Sequence, residues 1–211
     1  MKNAVSKRLF MVAVSAGLLG GVAWLQAEDH GHGHGHNHAH AELGKAAPAF
    51  ELKGIDGKEC KLSDFKGKVV VLEWMNHECP FVKKAHEAKL MTGTFAKFKD
   101  EPVVWMGIDS SWFCEDKSDS IRDWAKKMKI GYPILLDAKG MTGHQYGARS
   151  TPHMFVIDKE GNLAYMGAPD SEGNDGEKRN HIEETVTALL KGSAVPVART
   201  KAYGCSVKYR K

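Results

Sequence analysis

Four cysteines, at positions 60, 79, 114 and 205, are too few for a disulfide scaffold and enough for a redox site. The informative stretch is Glu73-Trp74-Met75-Asn76-His77-Glu78-Cys79-Pro80-Phe81-Val82. Cys79 follows a β-rich run and directly precedes a proline, the residue favoured at the first helical position. Cys79 is therefore predicted at a helix N-terminus, where unpaired N–H groups and the macrodipole favour an anion. That setting lowers a thiol pKa and makes the thiolate nucleophile available near neutral pH. His77, Lys83 and Lys84 add positive charge nearby, and Glu78 opposes it. Glu73 stands inside an apolar strand, six residues before Cys79. Buried there, its carboxyl would have a raised pKa and could serve as base or acid in thiol exchange. The competing reading is a carboxylate paired to a lysine or left at a strand edge.

The elements that must position this cysteine follow from periodicity and punctuation. Residues 49–52 and 59–62 flank the turn Ile55-Asp56-Gly57-Lys58 and read as an N-terminal hairpin, in which Cys60 is expected to be structural. Residues 68–74 read as a buried central strand and 102–109 as a second. Pro80 to Lys99 shows helical spacing through Val82, Ala85, Leu90, Phe95 and Phe98. Ser118 to Lys129 is a predicted helix, with Ser118 or Ser120 as its cap. A short strand at 133–137, a short helix at 141–146, a hairpin at 153–166 and a final helix at 180–191 complete the pattern. Strands alternating with helices give a three-layer α/β domain: a central mixed β-sheet flanked by helices. The tail Gly204-Cys205 carries the last thiol, and the glycine is expected to make it mobile.

The N-terminus reads as an address. Lys2, Lys7 and Arg8 precede an uncharged, mostly apolar run from Leu9 to Leu25, and Ala27 offers a cleavage position. Residues 1–27 thus have the pattern of a secretory signal peptide, and the mature protein is expected to be exported, periplasmic or extracellular. Membrane association is expected only if that segment stays uncleaved. Without those three residues the charge balance is 27 basic against 26 acidic, so nothing suggests a nucleic-acid partner. His30, His32, His34, His36, His38 and His40 recur at every second position within residues 28–43, which have too little apolar bulk to pack. This tract reads as a disordered linker whose imidazoles could bind zinc, copper or nickel. The folded domain is expected over 44–211.

Residues 69–74, the stretch Asn76-His77-Glu78-Cys79-Pro80-Phe81-Val82 and Ser150-Thr151-Pro152 together resemble the thioredoxin-fold redoxins, in the alkyl hydroperoxide reductase / thiol-specific antioxidant and thioredoxin-like group. The resemblance implies a thioredoxin-like fold and a thiol oxidoreductase with no required cofactor. It also implies a peroxide or protein disulfide as substrate and an external thiol as reductant. Cys79 is then the nucleophile, Glu73 a proton relay, and Pro152 the proline that faces it across a cis bond to Thr151. Val82 stands where a thioredoxin has its second cysteine, so no local resolving thiol is present. Asn76 stands where a peroxiredoxin has a threonine hydroxyl, and Arg149 is the nearest candidate for the arginine of that family. A resolving thiol must come from elsewhere: Cys205, preferred for its tail position, or Cys114, in the loop after the second strand. A permanent disulfide from Cys205 to Cys60 or Cys114 is the alternative. A third reading gives the function to metal binding by the His tract, with the redoxin domain as scaffold.

Overall fold

The computed structural model describes residues 40–172 and 178–210. The expected signal segment, and the tract from His30 to His38, lie outside the described residues. His40 lies within them and is exposed. Among the described residues no helix is long and apolar enough to cross a membrane.

The described residues form a seven-stranded mixed sheet built around β3 (Val69–Trp74), whose six residues are all buried. β4 (Val103–Asp109) pairs with β3 in parallel, and β7 (His153–Ile157) pairs with its other edge antiparallel. β8 (Leu163–Gly167) continues the sheet as a hairpin with β7. On the far side β5 (Ile134–Leu136) runs parallel to β4, and the N-terminal hairpin of β1 (Glu51–Gly54) and β2 (Glu59–Lys61) completes it. A strand buried on both faces must be apolar on both, which is what the run Val69-Val70-Val71-Leu72 supplies. Val69 and Val71 pack with Ala85, Met91, Ile182 and Val186, so α1 (Pro80–Glu87), α2 (Leu90–Lys97) and α5 (His181–Leu190) cover one face. Val70, Leu72 and Trp74 pack against Tyr146 of α4 (Met141–Tyr146) on the other. α3 (Ser118–Lys127) joins through Ile121, Trp124 and Ala125, beside Met75 and Val82. The fold is the expected thioredoxin-like α/β arrangement.

Two local expectations need correction. The helix expected from Pro80 to Lys99 is broken at Lys89, which lies in the left-handed region at φ 57°. A continuous 3.6-residue period carrying Val82 and Ala85 inward would keep Leu90 near that stripe and leave Met91 off it. The break resets the phase, so that Met91 is buried like Ala85. Neither Ser118 nor Ser120 caps α3: its N-cap is Lys117, with no side-chain cap. The Ser120 hydroxyl instead lies 3.0 Å from His77 Nε2.

Beyond α5 the chain turns back across the molecule. The Thr200 N–H bonds to the Met166 carbonyl, and the Thr200 hydroxyl accepts from the Ala168 N–H at 2.8 Å. The tail then forms β9 (Cys205–Ser206), antiparallel to β6 (Ser150–Thr151) in a separate two-stranded sheet.

Candidate active site

Cys79 is the N-cap of α1, with Pro80 at the first helical position. β3 ends at Trp74, and the following loop is tied down before the helix begins. The Met75 N–H bonds to the Ile108 carbonyl and the Cys79 N–H to the Asn76 carbonyl. The Asn76 amide donates to the Ser111 hydroxyl at 2.6 Å, and its oxygen accepts the Glu78 N–H at 2.7 Å. The first of these bonds ties the loop before α1 to the loop after β4. Asn76 still lines the cleft beside Cys79, with Glu78, Phe113, Thr151, Cys205 and Lys208, and that cleft measures about 210 Å³.

The Thr151–Pro152 bond is cis, as expected, and places the Thr151 carbonyl oxygen 3.2 Å from Cys79 Sγ. β9 lies on the same segment, with Cys205 directly opposite Thr151. All four cysteines are free thiols, and Cys79 and Cys205 line the same cleft. Burial raises the Cys79 thiol. Hydrogen bonds from Thr151, the Cys205 thiol, the Val82 N–H and the Cys205 N–H outweigh it, so the thiol sits below its ordinary value. The Val82 N–H belongs to the first turn of α1, so the helix start contributes as the Cys-Pro order implied. Burial raises Cys205, and its bond to Cys79 raises it further, while Lys208 pulls it down. The pair therefore has a division of labour: Cys79 ionises first and Cys205 keeps the proton.

Gly204 has φ 106°, and a Cβ there would run into the Thr151 carbonyl oxygen. This glycine permits close approach of two backbones; it does not loosen the tail. The tail is fixed on both sides of Cys205. The Tyr203 hydroxyl donates to Asp170 at 2.7 Å, and the Val207 N–H bonds to the Arg149 carbonyl. The Lys208 carbonyl accepts from the Trp112 N–H, and Tyr209 stacks on His144 at 4.0 Å while donating to the Ala148 carbonyl.

The remaining expected residues fall elsewhere. Glu73 is fully buried and bonded to His86 Nε2 at 2.9 Å and to the Tyr132 hydroxyl at 2.7 Å. Burying a lone carboxylate costs several kcal/mol, and these two bonds, not a lysine, offset it. Cys114 is fully buried in the apolar cluster that also holds Cys79, and burial with the nearby Asp109 charge pushes its thiol up to about 12. Cys60 is half-buried on β2 against Met106 Sδ at 3.4 Å. Arg149 is exposed, and its charge acts on His153, which burial first and then Arg149 press down to about 4. His77 does not supply positive charge, because burial lowers its pKa; Glu78 is paired with Lys117. Sequence reasoning missed Ser111, Phe113 and Lys208. Only Lys208 had a signal, its position three residues after a tail cysteine.

Among the described residues no cluster of His, Cys, Asp or Glu is arranged to hold a metal ion. A low-pKa cysteine capping a helix after a central strand, facing a cis-proline and a second thiol, defines a thioredoxin-fold thiol oxidoreductase. The chain belongs to the AhpC/TSA family, whose model matches residues 43–166. It is 31% identical over 123 residues to "Thiol-disulfide oxidoreductase ResA" of Bacillus thuringiensis subsp. konkukian (strain 97-27), covering 58% of this chain and 67% of that protein. It is 30% identical over 154 residues to "Peroxiredoxin Q, chloroplastic" of Populus jackii, covering 69% of this chain and 67% of that one. The structure of an uncharacterized conserved protein from Geobacillus kaustophilus is similar at a TM-score of 0.71 and 27% identity, over 80% of this chain and 93% of that chain. The tail with Cys205 lies beyond the residues the family model matches.

Proposed function

We propose that the chain is an exported thiol oxidoreductase that cycles between a Cys79/Cys205 dithiol and an intrachain disulfide. The observation that carries this reading is the placement of the two cysteines on one cleft: Cys79 Sγ lies 3.2 Å from the Thr151 carbonyl oxygen, and Cys205 stands directly opposite Thr151 on β9. The Cys79 thiolate attacks an oxygen of a hydroperoxide: the S–O bond forms, the O–O bond breaks, and the departing alkoxide or hydroxide takes a proton. The resulting sulfenic acid meets the Cys205 thiol, forming the disulfide and releasing water. With a disulfide substrate the same thiolate forms a mixed disulfide and expels one thiolate; Cys205 then displaces the second. In either case two electrons leave the pair, and an external thiol reductant restores them.

Glu73 is the proton relay in this reading, supported by its burial on the strand that delivers Cys79 and by its bond to His86 of α1. Pro152 and Thr151 shape the wall opposite the thiolate. Export rests on the basic start and apolar run of residues 1–27, and residues 28–40 serve as a spacer able to collect zinc, copper or nickel on its histidines; the expected linker ends earlier than 43, because Ala41 bonds to Gln145 and Leu43 packs on the core. Rapid-mixing kinetics of the reduced protein with hydrogen peroxide and with a small disulfide test the proposal. Fast oxidation of the wild type by at least one of them, lost in Cys79→Ser with the fold intact, is the expected result. Oxidation at an undiminished rate in Cys79→Ser overturns it.

A further inference from the structure

An exposed backbone edge is a ready template for an incoming polypeptide, because unpaired N–H and C=O groups add a strand at little cost. The backbone edge beside the Cys79 sulfur belongs to β6, and it is already taken. Thr151 pairs with Cys205 and Ser150 with Ser206. Cys79 itself is only 4% exposed, behind a cleft of about 210 Å³. A polypeptide carrying a disulfide would have to bring one sulfur in line with Cys79 Sγ where Cys205 already sits. It would also have to lay its own backbone where Gly204 and β9 touch Thr151. The bonds of Tyr203 to Asp170 and of Tyr209 to Ala148 hold β9 there from both ends.

Resting on the Cys79/Cys205 reading above, we propose that the tail is a built-in occupant of the strand-docking edge, so that the folded site selects hydroperoxides or disulfides that bring no polypeptide backbone with them. Small substrates enter the cleft with the tail in place. An extended polypeptide reacts only from the fraction of molecules whose tail has lifted, and its rate is scaled down by that fraction. The tail thus serves two ends with one strand: Cys205 resolves the oxidised Cys79, and the β9 backbone excludes protein substrates.

The test compares one reacting bond with and without a backbone. The probes are cysteine joined through a disulfide to thionitrobenzoate, as the free amino acid and within an extended peptide of about ten residues. Each is offered to the full chain carrying Cys205→Ser, which leaves the β9 backbone in place. The Cys79 thiolate attacks one sulfur, the S–S bond breaks, and one thiolate leaves; the product is the mixed disulfide, read as the mass of the Cys79 peptide. The free amino acid derivative should react about tenfold or more faster than the peptide. Adding Gly204→Ala, which drives the tail off Thr151, should raise the peptide rate until the ratio falls to within about threefold. Hydrogen exchange should show residues 205–207 opened with β3 still protected. If Gly204→Ala lowers the yield of folded protein, Tyr209→Ala loosens the tail from its other end and should move the ratio in the same direction. Equal rates of the two probes with the tail in place overturn the proposal, as does an unchanged ratio once exchange shows the tail released. Failure of Cys79 to react with either probe overturns the thiol-exchange reading and this inference with it.

Discussion

In the proposed reaction, the lowered Cys79 thiol and the raised Cys205 thiol decide which sulfur attacks. Without the Cys205 thiol, Cys79 loses a donor that favours its ionised form, and the burial that opposes ionisation is left less balanced. Cys205→Ala should therefore shift the pH dependence of Cys79 alkylation by iodoacetamide upward. In the wild type the two steps belong to the pair, and the lower one reports chiefly Cys79. An unshifted profile in Cys205→Ala would remove the tail thiol from the account of Cys79 reactivity. A second residue-scale prediction concerns Asp109, fully buried at the end of β4 with one carboxylate oxygen unpartnered among the described residues. Burial raises it from 3.8 to about 6. Between those values the native state binds more protons than the unfolded state, so this group's contribution to stability falls as pH rises from about 4 to 6. His153 acts oppositely: it is lowered from 6.5 to about 4, so its contribution rises with pH over that window. Asp109→Asn removes this fall, while Asp137, also raised by burial, keeps its own beside the His153 rise. Urea unfolding of that variant should show stability rising relative to wild type as pH goes from 4 to 6.5, with a gain on the order of 2 kcal/mol at pH 7. A variant that tracks wild type across the window would mean Asp109 stays solvated in the fold.

At the scale of elements, legibility followed length and punctuation. β3 was readable because Val69 to Leu72 is apolar on both faces, and the start of α1 because Pro80 marks the first helical position. The hairpins were readable from their turns. β6 and β9 have two residues each, too short for any period, and their pairing depends on contact across 54 residues. The candidate site was read in the same uneven way. Cys79, Thr151 and Pro152 stand at element junctions that the sequence marks, whereas the commitment of Asn76 to Ser111 depends on where the β4 loop lands. The role of Gly204 was misread because a glycine in a tail looks the same whether it supplies freedom or close approach; only the neighbouring Thr151 carbonyl decides. Asn180 illustrates a cap with consequences beyond its own helix. Its side chain accepts the Glu183 N–H at 3.0 Å and donates to the Thr94 hydroxyl at 2.7 Å, tying α5 to α2. Asn180→Ala should cost about 1–2 kcal/mol, read as a lower denaturant midpoint with an unchanged slope. The Cys79 alkylation profile should not move, since the cap does not touch the site. A midpoint equal to wild type would mean that water replaces both bonds without loss.

At the scale of the molecule, the residues matched by the family model supply the platform, and the chain beyond them supplies the second thiol. β3 and α1 present Cys79, the Thr151–Pro152 segment closes the facing wall, and the C-terminal tail crosses the sheet edge to bring Cys205 beside them. Positions 79 and 205 are 126 residues apart, so only the completed fold assembles the pair. Disulfide geometry needs Cα atoms within about 7 Å, and a pair held on either side of the Thr151 backbone in one cleft needs little rearrangement to meet it. The most direct measurement is the disulfide map of the full chain after one equivalent of oxidant, by peptide mass without reduction. The account predicts an intrachain Cys79–Cys205 bond, with Cys60 and Cys114 still alkylatable after unfolding. A Cys205 bond to Cys60 or Cys114, or Cys79 over-oxidised to sulfinic acid while Cys205 stays a free thiol, would contradict it.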